Sequence, residues 1–338
     1  MSTFSVIIIG AGPGGLACAT ILAEHGYDVL VLERKPAAGP KVCGGGITWG
    51  GLIKRIPAHL IEGAFPKQYI KSNFQQTVIK AVEPIVATIR REVLGQWMYQ
   101  QAQDKGAEIK TSCQVNKITP DTVETSQGQF GYRYLIGADG SRSIVRRYLR
   151  LPTDRIGVGI HFLVPGNFER MEWHLNATLF NNGYGWIFPY KNMASVGVYG
   201  AKPYNAPRQM LFRLKKWAET SNIPVRNLRP RAGLINFDYR GWRFDKIMII
   251  GDAAGLASGL TGEGIYPALV SGETAARIII NPDHDCAELE RLMKKQQKHR
   301  RIVEISAKNR FINIATMEIL ILALRMGLMP FSMLEMTD

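Results

Sequence analysis

The sequence predicts an α/β protein: a doubly wound nucleotide-binding sheet, an inserted antiparallel sheet and a helical C-terminal cap. Three observations predict it. An apolar strand runs into a glycine turn that opens a helix, Phe4-Ser5-Val6-Ile7-Ile8-Ile9-Gly10-Ala11-Gly12-Pro13-Gly14-Gly15. Far along the chain a second buried strand, Ile247–Ile250, ends in Gly251-Asp252-Ala253-Ala254-Gly255. Strand ends of a parallel sheet converge on one crevice, so these two loops are expected to meet. Between them, short strands alternate from Ile156 to Val198, the pattern of an antiparallel sheet.

In the first unit, Gly10, Gly12 and Gly15 match G-x-G-x-x-G. The first glycine permits the tight turn, the second lets backbone approach a pyrophosphate, and the third lets helix pack on strand. Pro13 and Gly14 complete the turn, whose free N–H groups are expected to face phosphates. The second strand, Asp28–Leu32, ends at Glu33-Arg34, and an acid at this distance suits a ribose diol. This unit is therefore read as a Rossmann-type dinucleotide-binding domain. Next comes Lys41-Val42-Cys43-Gly44-Gly45-Gly46, whose three glycines allow backbone to lie flat against a neighbour.

Further on, 52–65 is expected to be helical, and Phe74 to Ile89 to form two strands about a turn at Glu83-Pro84. Arg90 to Lys105 has one apolar face at helical spacing, including Leu94, Trp97 and Met98, and Gly106 ends it. Strands are expected at Glu108–Val115, Thr122–Ser126 and Phe130–Ile136, closed by Gly137-Ala138-Asp139-Gly140. The inserted sheet is expected from Ile156–Val164, Met171–Phe180, Gly185–Pro189, Ala194–Tyr199 and Arg231–Phe237, with an amphipathic helix at Arg208–Ser221. Gly262-Glu263-Gly264 opens a helix to about Ile280.

Beyond Ile280 the chain is helical and basic: Arg291 to Arg310 holds Arg291, Lys294, Lys295, Lys298, Arg300, Arg301, Lys308 and Arg310 against one acid, Glu304. The tail Phe311–Leu334 is apolar but interrupted by Glu318 and Arg325, too short and charged to be expected to span a membrane. Docking on anionic lipid and packing on the protein body are both open readings. The expected domains are 1–73, 90–155 and 241–285 for the nucleotide, 74–89 and 156–240 for substrate, and 286–338 as the helical region.

Composition narrows the function classes. The 338 residues are 46% hydrophobic and 21% charged, which fits a soluble globular chain with a substantial core. Forty-two Lys and Arg against 28 Asp and Glu give a net charge of +14, which favours an anionic partner. No aromatic–basic platform points to nucleic acid. Cys18, Cys43, Cys113 and Cys286 form no C-x-x-C pair and no His cluster accompanies them, so neither a disulfide framework nor a metal site is expected. No basic segment with a long apolar core opens the chain, so the expected location is the cytoplasm, with peripheral contact on the inner face of a membrane as an extension of that reading.

The second loop decides the cofactor. Asp252 at a strand end can accept a hydrogen bond from a ribityl hydroxyl, and the helix that starts at Gly262, Gly264 and Ile265 would aim its positive end at a flavin pyrimidine ring. With these motifs in order, the chain resembles FAD-dependent enzymes of para-hydroxybenzoate hydroxylase architecture: Gly10–Gly15 with Glu33, Arg91 opening a helix, Ala138-Asp139-Gly140, then Gly251-Asp252. Within that group it resembles the geranylgeranyl reductase family at Lys41–Gly46, at Tyr184-Gly185-Trp186-Ile187-Phe188-Pro189, and from Gly251 through Gly262-Glu263-Gly264-Ile265 to Ser271-Gly272. It departs from the family at Asn181, where a proline usually precedes the aromatic motif, and at Ile235-Asn236, usually Ile-Pro.

The resemblance implies FAD held by Gly10, Gly12, Pro13, Gly14, Gly15, Glu33, Arg34, Cys43, Gly44, Gly45, Arg91, Val115, Asp139, Gly140, Gly251, Asp252, Gly262, Gly264 and Ile265, with Arg90 as the competitor of Arg91. It implies substrate contacts from Gly46, Tyr184, Trp186 and Phe188; the three aromatics alternate on one strand face, as either a groove lining or plain core. Cys43 is the catalytic candidate, as proton donor or gate beside the flavin, against the reading of a small buried side chain. The implied activity is reduction of isoprenoid or prenyl-lipid double bonds by reduced FAD, with NAD(P)H or a reduced electron-carrier protein as donor. The alternatives are an FAD-dependent monooxygenase of an aromatic or quinone substrate, and a non-catalytic flavin-bearing membrane-surface protein.

Overall fold

A computed structural model describes every residue except Pro40, Ile53, Lys54, Pro203 and Asp338. The first strand, Thr3–Ile9, lies at the centre of an eight-stranded sheet. It runs parallel to Val29–Leu32 on one side and Gly128–Gly137 on the other, with Ile8 opposite both Val31 and Ile136. Glu108–Lys110 and Ile247–Ile249 extend the parallel core. These strands read as unbroken apolar runs because both faces are covered. Val6 and Ile8 pack among the helix residues Leu16, Leu22, Leu94 and Leu269, and Ile7 and Ile9 pack on the other side with Val145, Leu289 and Leu292.

Two helices with glycine at their contact bring the distant loops together. Helix Pro13–Glu24 lies against helix Ile265–Ile280. A Cβ at Gly14 would come within 2.6 Å of the Ala268 carbonyl, and one at Gly272 would overlap the Gly14 carbonyl. The obstacle is backbone on both sides, so it cannot swing away. Gly272→Ala is therefore expected to cost about 1–3 kcal/mol and lower the melting temperature, read by a thermal melt of the apo-protein.

The second sheet has seven strands, in the order Arg231–Asn236, Ile156–Pro165, Met193–Ala201, Tyr184–Pro189, Met171–His174, Lys67–Lys71, Gln76–Lys80. All neighbours are antiparallel except Met171–His174 with Lys67–Lys71. Helix Pro207–Thr220 covers one face through Met210, Leu214 and Trp217 against Phe162, Val164 and Val196. The other face carries Tyr184, Trp186, Phe188 and Tyr199. A small third sheet joins Gly46–Thr48, Val86–Thr88 and Gly63–Phe65. The chain closes with helices Ala287–Ser306 and Arg310–Arg325, packed on one another. No helix among the described residues is long and apolar enough to cross a membrane.

Several expected elements differ. The strand expected over Met171–Phe180 stops at His174, because the Asn176 side chain accepts from the N–H groups of Thr178 and Leu179 and caps a helical turn, Ala177–Phe180. Glu108–Val115 is split at Ser112, whose φ of 51° cannot continue a strand. The helix expected over 52–65 is instead a 3₁₀ turn, Ala58–Leu60, followed by the strand Gly63–Phe65; Pro57 stops helix propagation, and Ile53 and Lys54 of that stretch lie outside the described residues. The expected boundary between residues 73 and 74 falls inside the hairpin of Lys67–Lys71 and Gln76–Lys80, which belongs wholly to the second sheet. Val86–Thr88 sits in the third sheet rather than the second.

Candidate active site

Each glycine of the first turn does something different. Gly10 has φ +107°, and a Cβ there would lie 2.5 Å from the Ala138 carbonyl oxygen. A Cβ on Gly15 would overlap the carbonyl of Gly10. Gly12 is unlike both: its Cβ would meet nothing nearer than Ala138 O at 3.8 Å, and its open side faces a cavity. Gly12 also precedes helix Pro13–Glu24 with no side-chain cap, so the first helical N–H groups are left for a ligand. The Glu33 carboxylate is held by the N–H groups of Ala11 and Lys35, each at 2.9 Å on a different oxygen. Each oxygen keeps a lone pair for a diol.

Two polar atoms beside this turn have no partner among the described residues: Arg91 Nη1 and Asp139 Oδ1. Arg91 is 6% exposed, and burial lowers its pKa, as expected of a guanidinium without a full set of acceptors. Arg90 instead pairs with Glu62 at 2.6 Å, and of the two arginines only Arg91 lines the cavity. Asp139 Oδ2 accepts from Ile144 N at 2.6 Å, and burial raises its pKa. The cradle of glycines, the fixed carboxylate and the orphaned guanidinium together fit the ribose and pyrophosphate of FAD.

The second loop lies across the crevice. Asp252 is 8% exposed, and its Oδ2 accepts from Lys41 Nζ at 2.8 Å and Ser141 Oγ at 2.9 Å. The Asn236 side chain holds the Asp252 carbonyl at 2.8 Å, a bond that the family's usual proline could not make. Asn181, the other departure, has φ +54°, which proline's ring forbids. Helix Ile265–Ile280 begins uncapped at Gly264, so its positive end faces the cavity beside Asp252. The adjacent Glu263 accepts from Thr48 Oγ1 at 2.8 Å and from Met336 N at 2.9 Å, and its pKa is raised by burial.

That last bond belongs to a C-terminal strap. Phe331, Leu334 and Glu335 line the cavity. Lys295 Nζ donates to the Thr337 carbonyl, and His299 Nε2 lies 3.0 Å from the Met333 carbonyl. A carbonyl only accepts, so His299 Nε2 carries the hydrogen and Nδ1 accepts from Ser258 Oγ at 2.8 Å. Ser258 Oγ in turn accepts from the N–H groups of Leu260 and Thr261. Burial and Glu263 push the Glu335 carboxyl up to about 7.

The three glycines after Cys43 lie flat against the aromatic strand. A Cβ on Gly45 would overlap the Tyr190 hydroxyl, one on Gly46 would sit 2.8 Å from Phe188, and one on Gly44 3.2 Å from Trp186. Tyr190 Oη donates to the Gly44 carbonyl at 3.2 Å, and Gly45 N donates to Cys43 Sγ at 3.4 Å. Tyr184, Trp186 and Phe188 share one face, with ring centroids 5.9 and 5.7 Å apart in sequence. Tyr184 Oη anchors to the Thr261 carbonyl. Cys18, by contrast, is fully buried in the first helix and its thiol pKa is pushed up by that burial.

Every residue expected to hold cofactor or substrate lines a single cavity of about 730 Å³. That includes Pro13, Gly14, Arg34, Val115, Gly140, Gly251 and Gly262 as well as the residues described above. Sequence reasoning missed Lys41, Ser141, Asn236, the C-terminal strap and His161. Ser195 Oγ accepts from Trp186 Nε1 and lies 2.8 Å from His161 Nδ1; His161 lines this cavity, its Nε2 has no partner among the described residues, and burial lowers its pKa to about 4. Lys41 and Asn236 lie in stretches already singled out, but without a site role; His161 alternates with Gly159 on its strand, and only the cavity lining picks it out.

Comparison with known proteins agrees with this geometry. The FAD binding domain family matches residues 3–304. The chain is similar to digeranylgeranylglycerophospholipid reductase 2 of Methanopyrus kandleri, 28% identical over 337 residues that cover 87% of this chain and 82% of that protein. Its fold is similar to that of a geranylgeranyl bacteriochlorophyll reductase-like protein from Thermoplasma acidophilum, with TM-score 0.77, 20% identity and 97% of each chain covered. It is also similar in fold to PqsL, a probable FAD-dependent monooxygenase from Pseudomonas aeruginosa, with TM-score 0.67, 18% identity, 94% of this chain and 100% of that one covered. The chain belongs to the FAD binding domain family, as an FAD-dependent oxidoreductase related to the geranylgeranyl reductases.

Proposed function

We propose that this enzyme reduces carbon–carbon double bonds of an isoprenoid or prenyl-lipid substrate. The observation that carries the reading is the continuity of the cofactor cradle with a deep apolar space. The same cavity is lined at one end by Gly12, Glu33 and Arg91, and at the other by Trp173, Tyr184, Trp186, Phe188, Met317, Leu320 and Phe331. A chain of hydrocarbon needs such a lining, with few polar groups to fix its position. The relative from Methanopyrus kandleri is named for reduction of a lipid with two geranylgeranyl chains.

When bound and reduced, FAD would supply the hydride for one carbon of the double bond, and the chain's own residues hold the substrate and provide the proton. Cys43 Sγ–H supplies the proton for the other, which balances the step as addition of two hydrogens. The Gly45 N–H, which donates to Cys43 Sγ, is placed to hold the developing thiolate. Solvent returns the proton to sulfur afterwards. The aromatic wall keeps water from the reacting carbons. NAD(P)H or a reduced electron carrier would be the source of the electrons.

Anaerobic incubation of dithionite-reduced, FAD-loaded protein with a geranylgeranyl lipid, followed by mass spectrometry, tests the reading. Products should gain mass in steps of two hydrogens. A hydroxylated product with oxygen consumption would favour the monooxygenase reading, and flavin that no prenyl lipid reoxidises would favour a non-catalytic role. Cys43→Ser should slow lipid-dependent reoxidation about 100-fold while the FAD absorbance stays intact. An unchanged rate in that variant would remove Cys43 from the proton step.

A further inference from the structure

We infer that helix Arg310–Arg325 docks this protein onto an anionic phospholipid surface. The helix is apolar on two opposite faces. At 100° per residue, Phe311, Ala315, Ile319, Leu322 and Met326 fall within about 80° of one another. Met317, Ile321 and Leu324 lie on the opposite side and are buried, Ile321 and Leu324 beside Ile70. The first set is turned out: Phe311 is 83% exposed, Ile319 66% and Met326 63%. A helix with both stripes apolar and only one covered has an unmet demand for burial.

Charge identifies what covers it. The one acid in this helix, Glu318, is spent on the neighbouring hairpin turn, where it accepts from Ser72 Oγ, Gln75 Nε2 and the N–H groups of Asn73 and Phe74. The preceding helix, Ala287–Ser306, packs on this one and turns out Lys294, Lys298 and Arg301, at helical spacing and without a carboxylate partner among the described residues. Exposed cations on the helix that packs against the one bearing the apolar stripe match phosphate headgroups above acyl chains. The helix is not one that can cross a membrane, so it would lie in the interface. The inner side of the same helix lines the site, through Met317 and Leu320, so docking would place the apolar cavity one helix away from the bilayer.

The test is flotation of the FAD-loaded protein with vesicles of phosphatidylcholine, with and without phosphatidylglycerol. The wild type should float with the anionic vesicles, less so as salt rises. The double variant I319D/L322D should lower the bound fraction about tenfold or more, with FAD absorbance and melting temperature preserved. K298E/R301E should lose the preference for phosphatidylglycerol. The inference is overturned if wild-type protein stays unbound, if I319D/L322D floats equally well, or if light scattering shows a dimer that I319D/L322D splits, since a second copy would then be the occupant. Salt dependence in the wild type needs no variant, so a folding failure in either mutant leaves a decisive result.

Discussion

Arg91→Leu is expected to weaken FAD binding about 10–100-fold and, in the same protein, to raise the melting temperature of the apo form. The two effects have opposite signs for one reason. In the absence of ligand, the Arg91 guanidinium is buried with Nη1 lacking any acceptor among the described residues. A buried charge without its partner is destabilising, and an apolar side chain of similar length relieves that cost by about 1–3 kcal/mol. With FAD present, a phosphate would complete the arginine's bonds and the substitution would forfeit them. Calorimetric titration with FAD gives the first number and a thermal melt of stripped protein the second. A fall in apo stability together with unchanged affinity would mean that Arg91 is structural.

Glu335→Gln is expected to flatten the pH dependence of C-terminal docking. The Glu335 carboxyl is raised from 4.5 to about 7, first by burial and then by Glu263, against weaker lowering by the Thr337 hydroxyl and Lys295. A raised carboxyl binds its proton more tightly in the folded state than in the unfolded chain. The stability it contributes is therefore present at low pH, declines as pH rises through the window from 4.5 to about 7, and is gone above it. The size follows from the shift, about 3 kcal/mol over that window. Wild-type strap residues 331–337 should show lower amide protection, measured against the intrinsic exchange rate at each pH, at pH 8 than at pH 5, whereas Glu335→Gln should keep the same protection at both. Equal protection of the wild type at the two pH values would refute the assignment. The strap contributes Phe331, Leu334 and Glu335 to the cavity lining, so activity should respond to the same transition.

The FAD end of the site was legible because each of its devices has a local cause. Gly10 needs a positive φ, Gly15 must clear the Gly10 carbonyl, and Gly12 must leave space, so three glycines at that spacing carry the message by themselves. Glu33 follows at the end of the next strand, and the adjacent parallel pairing places it against Ala11. The aromatic strand was equally readable, since alternation alone puts Tyr184, Trp186 and Phe188 on one face. The purpose of the triple glycine was readable only in part. Its backbone was expected to lie against something, and the partner turned out to be that same aromatic strand.

Other parts carried no local signal. The glycines Gly14 and Gly272 are 258 residues apart in numbering, and only the packed helices show that Gly14 clears the Ala268 carbonyl and Gly272 the Gly14 carbonyl. Asn236 reads as a departure from a family pattern, but its amide tethers the Asp252 carbonyl across the crevice. The strap reads as an apolar tail, yet it ends with Met336 N bonded to Glu263. His161 gains meaning only from Ser195 and Trp186 on neighbouring strands.

What the sequence alone determined was the α/β class, the cofactor and the two loops that meet around it. Those depend on backbone conformation and on periodicity, which neighbours in sequence specify. Which arginine faces inward, what closes the cavity, and which stripe of the last helix is left uncovered were decided by the tertiary structure. Those outcomes depend on burial and on hydrogen-bond partners contributed by strands and helices distant along the chain, and no local pattern encodes them.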